Sequence, residues 1–157
     1  MITDIRIEGK KPEETHRCTK CKACTRACPT GALAGGDRER CMRTYMKREI
    51  IPDRYKKEIY QLLGCEKCQT VCPLNKKREG RLEEYDLVYV LKGEATQEIQ
   101  QLVGKNMAPK MRILRQAICF AANQNAREAI PVIRGLKQEK LLSDAVKWAL
   151  EQLDADG

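Results

Sequence analysis

Residues 18–29 read CTKCKACTRACP and place Cys18, Cys21, Cys24 and Cys28 in one run closed by Pro29. This is C-x2-C-x2-C-x3-C-P, the spacing of bacterial iron–sulfur proteins with two clusters. Two-residue loops let three thiolates reach three corners of one four-iron cube. Cys28 lies one turn further on and points away, which suits a second cube. Pro29 ends the turn and has no N–H. Neighbouring N–H groups are left free to bond to cluster sulfurs and stabilise the reduced form.

A shorter version, GCEKCQTVCPLN, returns at residues 64–75 with Cys65, Cys68, Cys72 and Pro73. Crossed sharing sends Cys72 to the first cube. Cys28, Cys65 and Cys68 then hold three corners of the second. Cys41, between the two motifs, is the available eighth thiolate. The expected sets are Cys18, Cys21, Cys24 and Cys72 for one 4Fe–4S cluster, and Cys28, Cys41, Cys65 and Cys68 for the other. Zinc usually takes two separated C-x2-C pairs at tetrahedral corners, which three evenly spaced cysteines plus a cysteine-proline do not resemble.

The chain has 157 residues, nine of them cysteine. No apolar N-terminal segment precedes the charged start, and no stretch has the length of a membrane span. Both point to a soluble, cytoplasmic protein with no membrane partner. Disulfides are rare in that compartment, so its clustered cysteines indicate metal or redox chemistry. The net charge is +8. Residues 1–80 carry 19 Lys and Arg against 11 Asp and Glu, and residues 81–157 carry 11 against 11. The whole excess thus lies in the cysteine half. Two oxidised cubes with their thiolates bring about −4, so the surplus either balances buried clusters or faces an acidic partner or nucleic acid.

Three segments follow: an extension over 1–16, a ferredoxin-like double-cluster domain over 17–80, and a helical domain over 82–157. In the first, TDIRIEG alternates like an edge strand. In the second, the sequence predicts one helix from Asp37 carrying Cys41, Met42, Tyr45 and Met46. It predicts another from Asp53 carrying Tyr55, Ile59, Leu62 and Leu63, ending at Gly64. NKKREGR, residues 75–81, is the charged boundary. Beyond it, apolar stripes mark short helices through Leu87, Val90 and Leu91, and through Ile99, Leu102 and Val103. Longer ones follow Pro109, through Ile113, Leu114, Ala117, Ile118 and Ala121, and run through Leu141, Leu142, Ala145, Val146, Ala149, Leu150 and Leu153. Pro131 fits only a first turn or a kink. Paired helices of this kind read as stacked repeats, so the fold class is mainly α. Cys119 reads as a core thiol, Trp148 as packing and His16 as an exposed loop residue. Lys105, Lys110, Arg112 and Arg115 form either a phosphate-binding ridge or a solvated face.

CTKCKACTRACPTGAL, RCMRTYM and YQLLGCEKCQTVCPLN together resemble the iron–sulfur region of epoxyqueuosine reductase, the enzyme of the last step of queuosine synthesis in tRNA. That family has a cysteine between the two motifs, where Cys41 stands. It continues into a HEAT-like repeat region, which residues 114–153 resemble in order and rhythm. Thr19 stands where the family commonly has glycine, and Leu74 where it commonly has tryptophan. The family also has an N-terminal domain that binds cobalamin and carries the catalytic acid. This chain begins just upstream of the first cysteine. The resemblance therefore implies a two-cluster electron-transfer module rather than the reductase reaction in this chain. The implied partners are a ferredoxin or flavodoxin donor and an acceptor reductase on another chain, with tRNA docking partly through the helical region. Two other functions fit the same residues: a tRNA- or nucleic-acid-binding module with structural clusters, and a redox or iron sensor.

Overall fold

The computed structural model describes residues 18–75 and 84–155. The expected edge strand, His16 and the charged boundary over 76–81 lie outside them. Among the described residues every regular element is helical. The cysteine half holds five short helices: α1 (Ala23–Ala27), α2 (Ala32–Gly35), α3 (Met42–Lys47), α4 (Asp53–Lys56) and α5 (Lys67–Thr70). The second half holds α6 (Leu87–Leu91), α7 (Thr96–Val103), α8 (Lys110–Asn123), α9 (Ile130–Gly135) and α10 (Ser143–Ala155). Asp86 opens α6 by accepting a hydrogen bond from the Tyr89 amide at 2.8 Å. Pro109 is the cap of α8 rather than its first helical residue, and Pro131 sits in the first turn of α9. Neither proline interrupts a helical ladder.

The axis of the molecule is α8. Its stripe of Ile113, Leu114, Ala117, Ile118 and Ala121 is buried throughout. It packs on α10, α6 and α3, so it touches both halves. Met42, Met46, Ile51, Tyr55 and Ile59 from the cysteine half are buried in the same continuous core as α8 and α10. Each such side chain contributes about 1.5–3 kcal/mol on burial.

Polar side chains of α8 fasten the seam. Gln116 is buried; its Oε1 accepts from the Leu63 amide at 2.6 Å and its Nε2 donates to the Met46 carbonyl at 2.8 Å. Asn123 donates to the Lys56 and Ile59 carbonyls, both at 2.8 Å. Lys56 is itself buried. Its ammonium pairs with Asp144 of α10 at 2.8 Å and Asp53 at 2.9 Å, and it lies 5.7 Å from the centre of the Trp148 ring. Burial alone would push this ammonium toward neutrality, but the two carboxylates more than compensate and leave its pKa raised.

Four local expectations are corrected by these contacts. The helix expected from Asp37 breaks in two. Asp37 caps a 3₁₀ turn over Arg38–Arg40, and Cys41 is extended before α3 begins. The helix expected to run from Asp53 to Leu63 stops at Lys56, because α8 side chains claim the carbonyls and the amide that would have continued it. Leu63 instead enters the left-handed region at φ 61°. Gly64 follows at φ 154°, with the Arg43 guanidinium 3.4 Å from where a Cβ would stand. Of the expected α7 stripe only Ile99 is buried; Leu102 and Val103 are exposed at the rim of a groove. Leu141 is also exposed, since α10 starts two residues later.

Replacing Gln116 by Leu removes both seam bonds while keeping the volume. Each buried backbone group left unpaired costs about 1–3 kcal/mol. Urea unfolding of the holo-protein should show a clear drop in midpoint, whereas Lys105→Gln should stay within about 0.5 kcal/mol of the parent.

Candidate metal centre

Four of the eight candidate cysteines line one cavity. Cys28, Cys41, Cys65 and Cys68 face a space of about 280 Å³ closed by Pro29, Ala32, Leu33 and Met42. Three of them arrive by a local break in the chain, and the fourth lies in a helix. Cys28 is the extended residue after α1, and Cys41 the extended residue between the 3₁₀ turn and α3. Cys65 follows the turned Leu63–Gly64 pair, and Cys68 lies in α5.

The electrostatics of this cavity favour a cationic group bound by sulfur. Burial raises the Cys28 thiol, but the amides of Leu33, Thr30 and Ala32 and the Thr30 hydroxyl outweigh it, and the net shift is downward. Thr30 is buried, with its hydroxyl 3.6 Å from Cys28 Sγ. Cys65 shifts the other way. Burial raises it most; the Lys67 amide and ammonium pull it down, and the nearby Cys68 and Cys41 sulfurs raise it again. Thiolates crowded in one apolar cavity oppose each other's ionisation unless positive charge joins them. Among the described residues no three His, Cys, Asp or Glu side chains converge tightly enough for a single metal ion. A cube is bound at separate corners and needs no such convergence.

α1, which carries Cys24, packs against α5, which ends just before Cys72. Cys18 and Cys21 are exposed, while Cys24 in α1 and Cys72 after α5 are half-buried. Backbone amides turn toward these sulfurs: the Lys20 N–H lies 3.4 Å from Cys18 Sγ. The Ala23 amide, then the Thr19 hydroxyl, lower the Cys21 thiol despite some desolvation, with help from Arg26. Such N–H···S contacts suit thiolates that hold iron.

Cys119 stands apart. It is fully buried in α8, and burial pushes its thiol up to about 12. It stays a neutral core group. Of the candidate phosphate contacts, Lys105 and Lys110 are exposed and Arg112 is half-buried. Arg115 is not on that surface. It is buried and donates to the carbonyls of Arg48 at 3.1 Å and Leu141 at 3.0 Å. Sequence reasoning missed Thr30, whose only signal is its place directly after the cysteine-proline pair.

Residues 17–75 match the family model described as a 4Fe-4S double cluster binding domain. The chain is thus an iron–sulfur protein with two 4Fe–4S clusters as its cofactors. Epoxyqueuosine reductase of Lactococcus garvieae is 29% identical across 98% of the chain, which covers 49% of that protein. A Geobacillus stearothermophilus protein known as "Uncharacterized protein in gldA 3'region" is also 29% identical across 98% of the chain, which covers 80% of it. Among solved structures, epoxyqueuosine reductase crystallised with a tRNA-TYR epoxyqueuosine-modified tRNA stem loop superposes with a TM-score of 0.69 at 29% identity. That match covers 87% of this chain and 42% of the other. The chain is similar to one part of these reductases and spans about half the length of those it matches. Among the described residues no helix is long and apolar enough to cross a membrane.

Replacing Cys119 by Ala should leave the iron content unchanged, since that thiol faces core side chains. Replacing Cys28 by Ser should lower it. Metal analysis of anaerobically purified variants, normalised to protein, separates the two outcomes.

Proposed function

We propose that the chain is an electron-transfer module whose two clusters pass single electrons from a donor to an acceptor reductase. Cys18, Cys21, Cys24 and Cys72 hold one cluster, and Cys28, Cys41, Cys65 and Cys68 hold the other. The observation that carries this reading is the shared cavity of Cys28, Cys41, Cys65 and Cys68. Crossed sharing selects Cys28, Cys65 and Cys68 from the sequence, Cys41 is the remaining thiolate between the motifs, and the four come from three separate segments. When bound, the clusters supply reversible one-electron chemistry within a range of roughly −700 to +450 mV.

The chain's own residues set the environment. Ala32, Leu33 and Met42 keep the inner cavity apolar, and the amides around Cys28 offset negative charge on its sulfur. Exposure of Cys18 and Cys21 gives the outer group of sulfurs access to a partner. The similarity to epoxyqueuosine reductase supports an oxidoreductase system acting on modified tRNA as the setting, with the acceptor's reaction centre in the part of that enzyme this chain does not match.

One observation favours a second reading, in which the chain also touches tRNA. A cleft at the seam is lined by Arg43, Lys47 and Arg112, and a structural neighbour was crystallised with a tRNA stem loop. Several phosphate contacts would make binding fall steeply with salt; a flat response would dismiss this reading.

The electron-transfer reading is tested by electron paramagnetic resonance of the anaerobic, dithionite-reduced protein. Two spin-coupled cube signals are expected. Cys41→Ser should remove one cluster's signal and leave the other. An EPR-silent reduced protein, or a Cys41→Ser variant with both signals intact, would overturn the reading or its ligand set respectively.

A further inference from the structure

Residues 18–36 contain Lys20, Lys22 and Arg26 and no acidic residue. All three basic side chains are exposed. Lys20 and Lys22 hold φ at 57° and 58°, the left-handed region that glycine enters most easily. Such conformations persist only where the surrounding structure holds them. Both lysines flank Cys21, and the Arg26 guanidinium is pinned to the same loop by a 3.1 Å bond to the Cys21 carbonyl.

Across the α1–α5 contact the surface turns apolar. Val71 and Leu74 are 38% and 41% exposed on either side of Cys72. An apolar spot beside a cationic collar has the pattern of a protein interface: charge steers the encounter, and apolar contact holds it. The mouth of the inner cavity is different. Asp37 and Arg38, of opposite sign, both line that cavity, and the next residue, Glu39, pairs with Arg48 at 3.8 Å. Single-sign charge is thus concentrated where sulfurs are most exposed.

We propose that this face is the docking site of a small, acidic one-electron carrier protein. Its carboxylates meet Lys20, Lys22 and Arg26, and its redox centre faces the cluster beside Cys18 and Cys21. This rests on the electron-transfer reading above. One electron leaves the carrier, which is oxidised by one equivalent, and enters that cluster, which is reduced by one. No bond forms or breaks and no proton need move. The carrier is the donor.

The probe is a strongly acidic plant-type 2Fe–2S ferredoxin. Its reduced form is mixed anaerobically with the holo-protein, and the second-order rate of cluster bleaching is followed against ionic strength. Binding of the oxidised ferredoxin is measured in parallel by titration calorimetry. For the unaltered protein the rate should fall steeply as salt rises. The doubles Lys20→Gln with Lys22→Gln, and Lys20→Gly with Lys22→Gly, should each slow reduction about 10-fold or more at low salt and weaken binding, converging with the parent at high salt. The glycine pair relieves the backbone, so its iron content should match the parent's. Lys105→Gln with Lys110→Gln should change nothing. A salt-independent rate in the unaltered protein overturns the proposal without any variant. So does parental speed in both lysine doubles, or slowing confined to the Lys105 and Lys110 pair. Excess dithionite should reduce every variant to the same extent. Its failure on the parent would overturn the electron-transfer reading itself, a result distinct from loss of the docking site.

Discussion

The constraint that shapes this molecule is the poverty of the cysteine half. Five helices of four to six residues cannot close a hydrophobic core by themselves, and helices this short are unstable in isolation. They are held from two directions. From below, α8 takes in Met42, Met46, Ile51, Tyr55 and Ile59 and ties down the intervening backbone through Gln116 and Asn123. From within, the proposed ligand sets cross the two motifs, so that binding iron also closes the loops between distant cysteines. Metal binding and folding are coupled in such sites because the donors are assembled only in the folded chain.

The same constraint explains why the two halves behave as one body. Arg115 would be a surface cation on an ordinary helix; here its guanidinium joins the end of α3 to the turn before α10. Lys56 reaches in the opposite direction, from α4 to Asp144 of α10. Charges buried at a seam are costly unless paired. Lys56 meets Asp144, and the Arg115 guanidinium its two carbonyls, only when the halves are docked, which favours one arrangement over alternatives. The cavity holding Cys28, Cys41, Cys65 and Cys68 is built on this platform. Its walls come from α2 and α3, and α3 is positioned by α8.

What could be read from the sequence was whatever depends on short-range spacing. The two cysteine runs, and with them the match to a double-cluster domain, follow from how few residues separate one sulfur from the next. The stripe of α8 and the burial of Cys119 and Trp148 follow from helical period. What could not be read depends on partners far along the chain. The early end of α4 is decided by Asn123, more than sixty residues away. The burial of Arg115 is decided by carbonyls on either side of it in sequence. Nothing in the local pattern separates an arginine that caps a distant helix from one that faces solvent, so Arg115 read as part of a phosphate-binding ridge or a solvated face. The break at Cys41 was hidden by a pattern that fits a continuous helix equally well.

If interleaved thiolates enclosing two cubes are the centre of this fold, the intact protein should carry them at defined mass. Native mass spectrometry of anaerobically purified material, with iron, sulfide and zinc measured on the same sample, tests this most directly. The account predicts the polypeptide plus two four-iron, four-sulfide clusters, in keeping with the double-cluster domain over residues 17–75. A folded protein carrying zinc, a single cluster or no metal would contradict it.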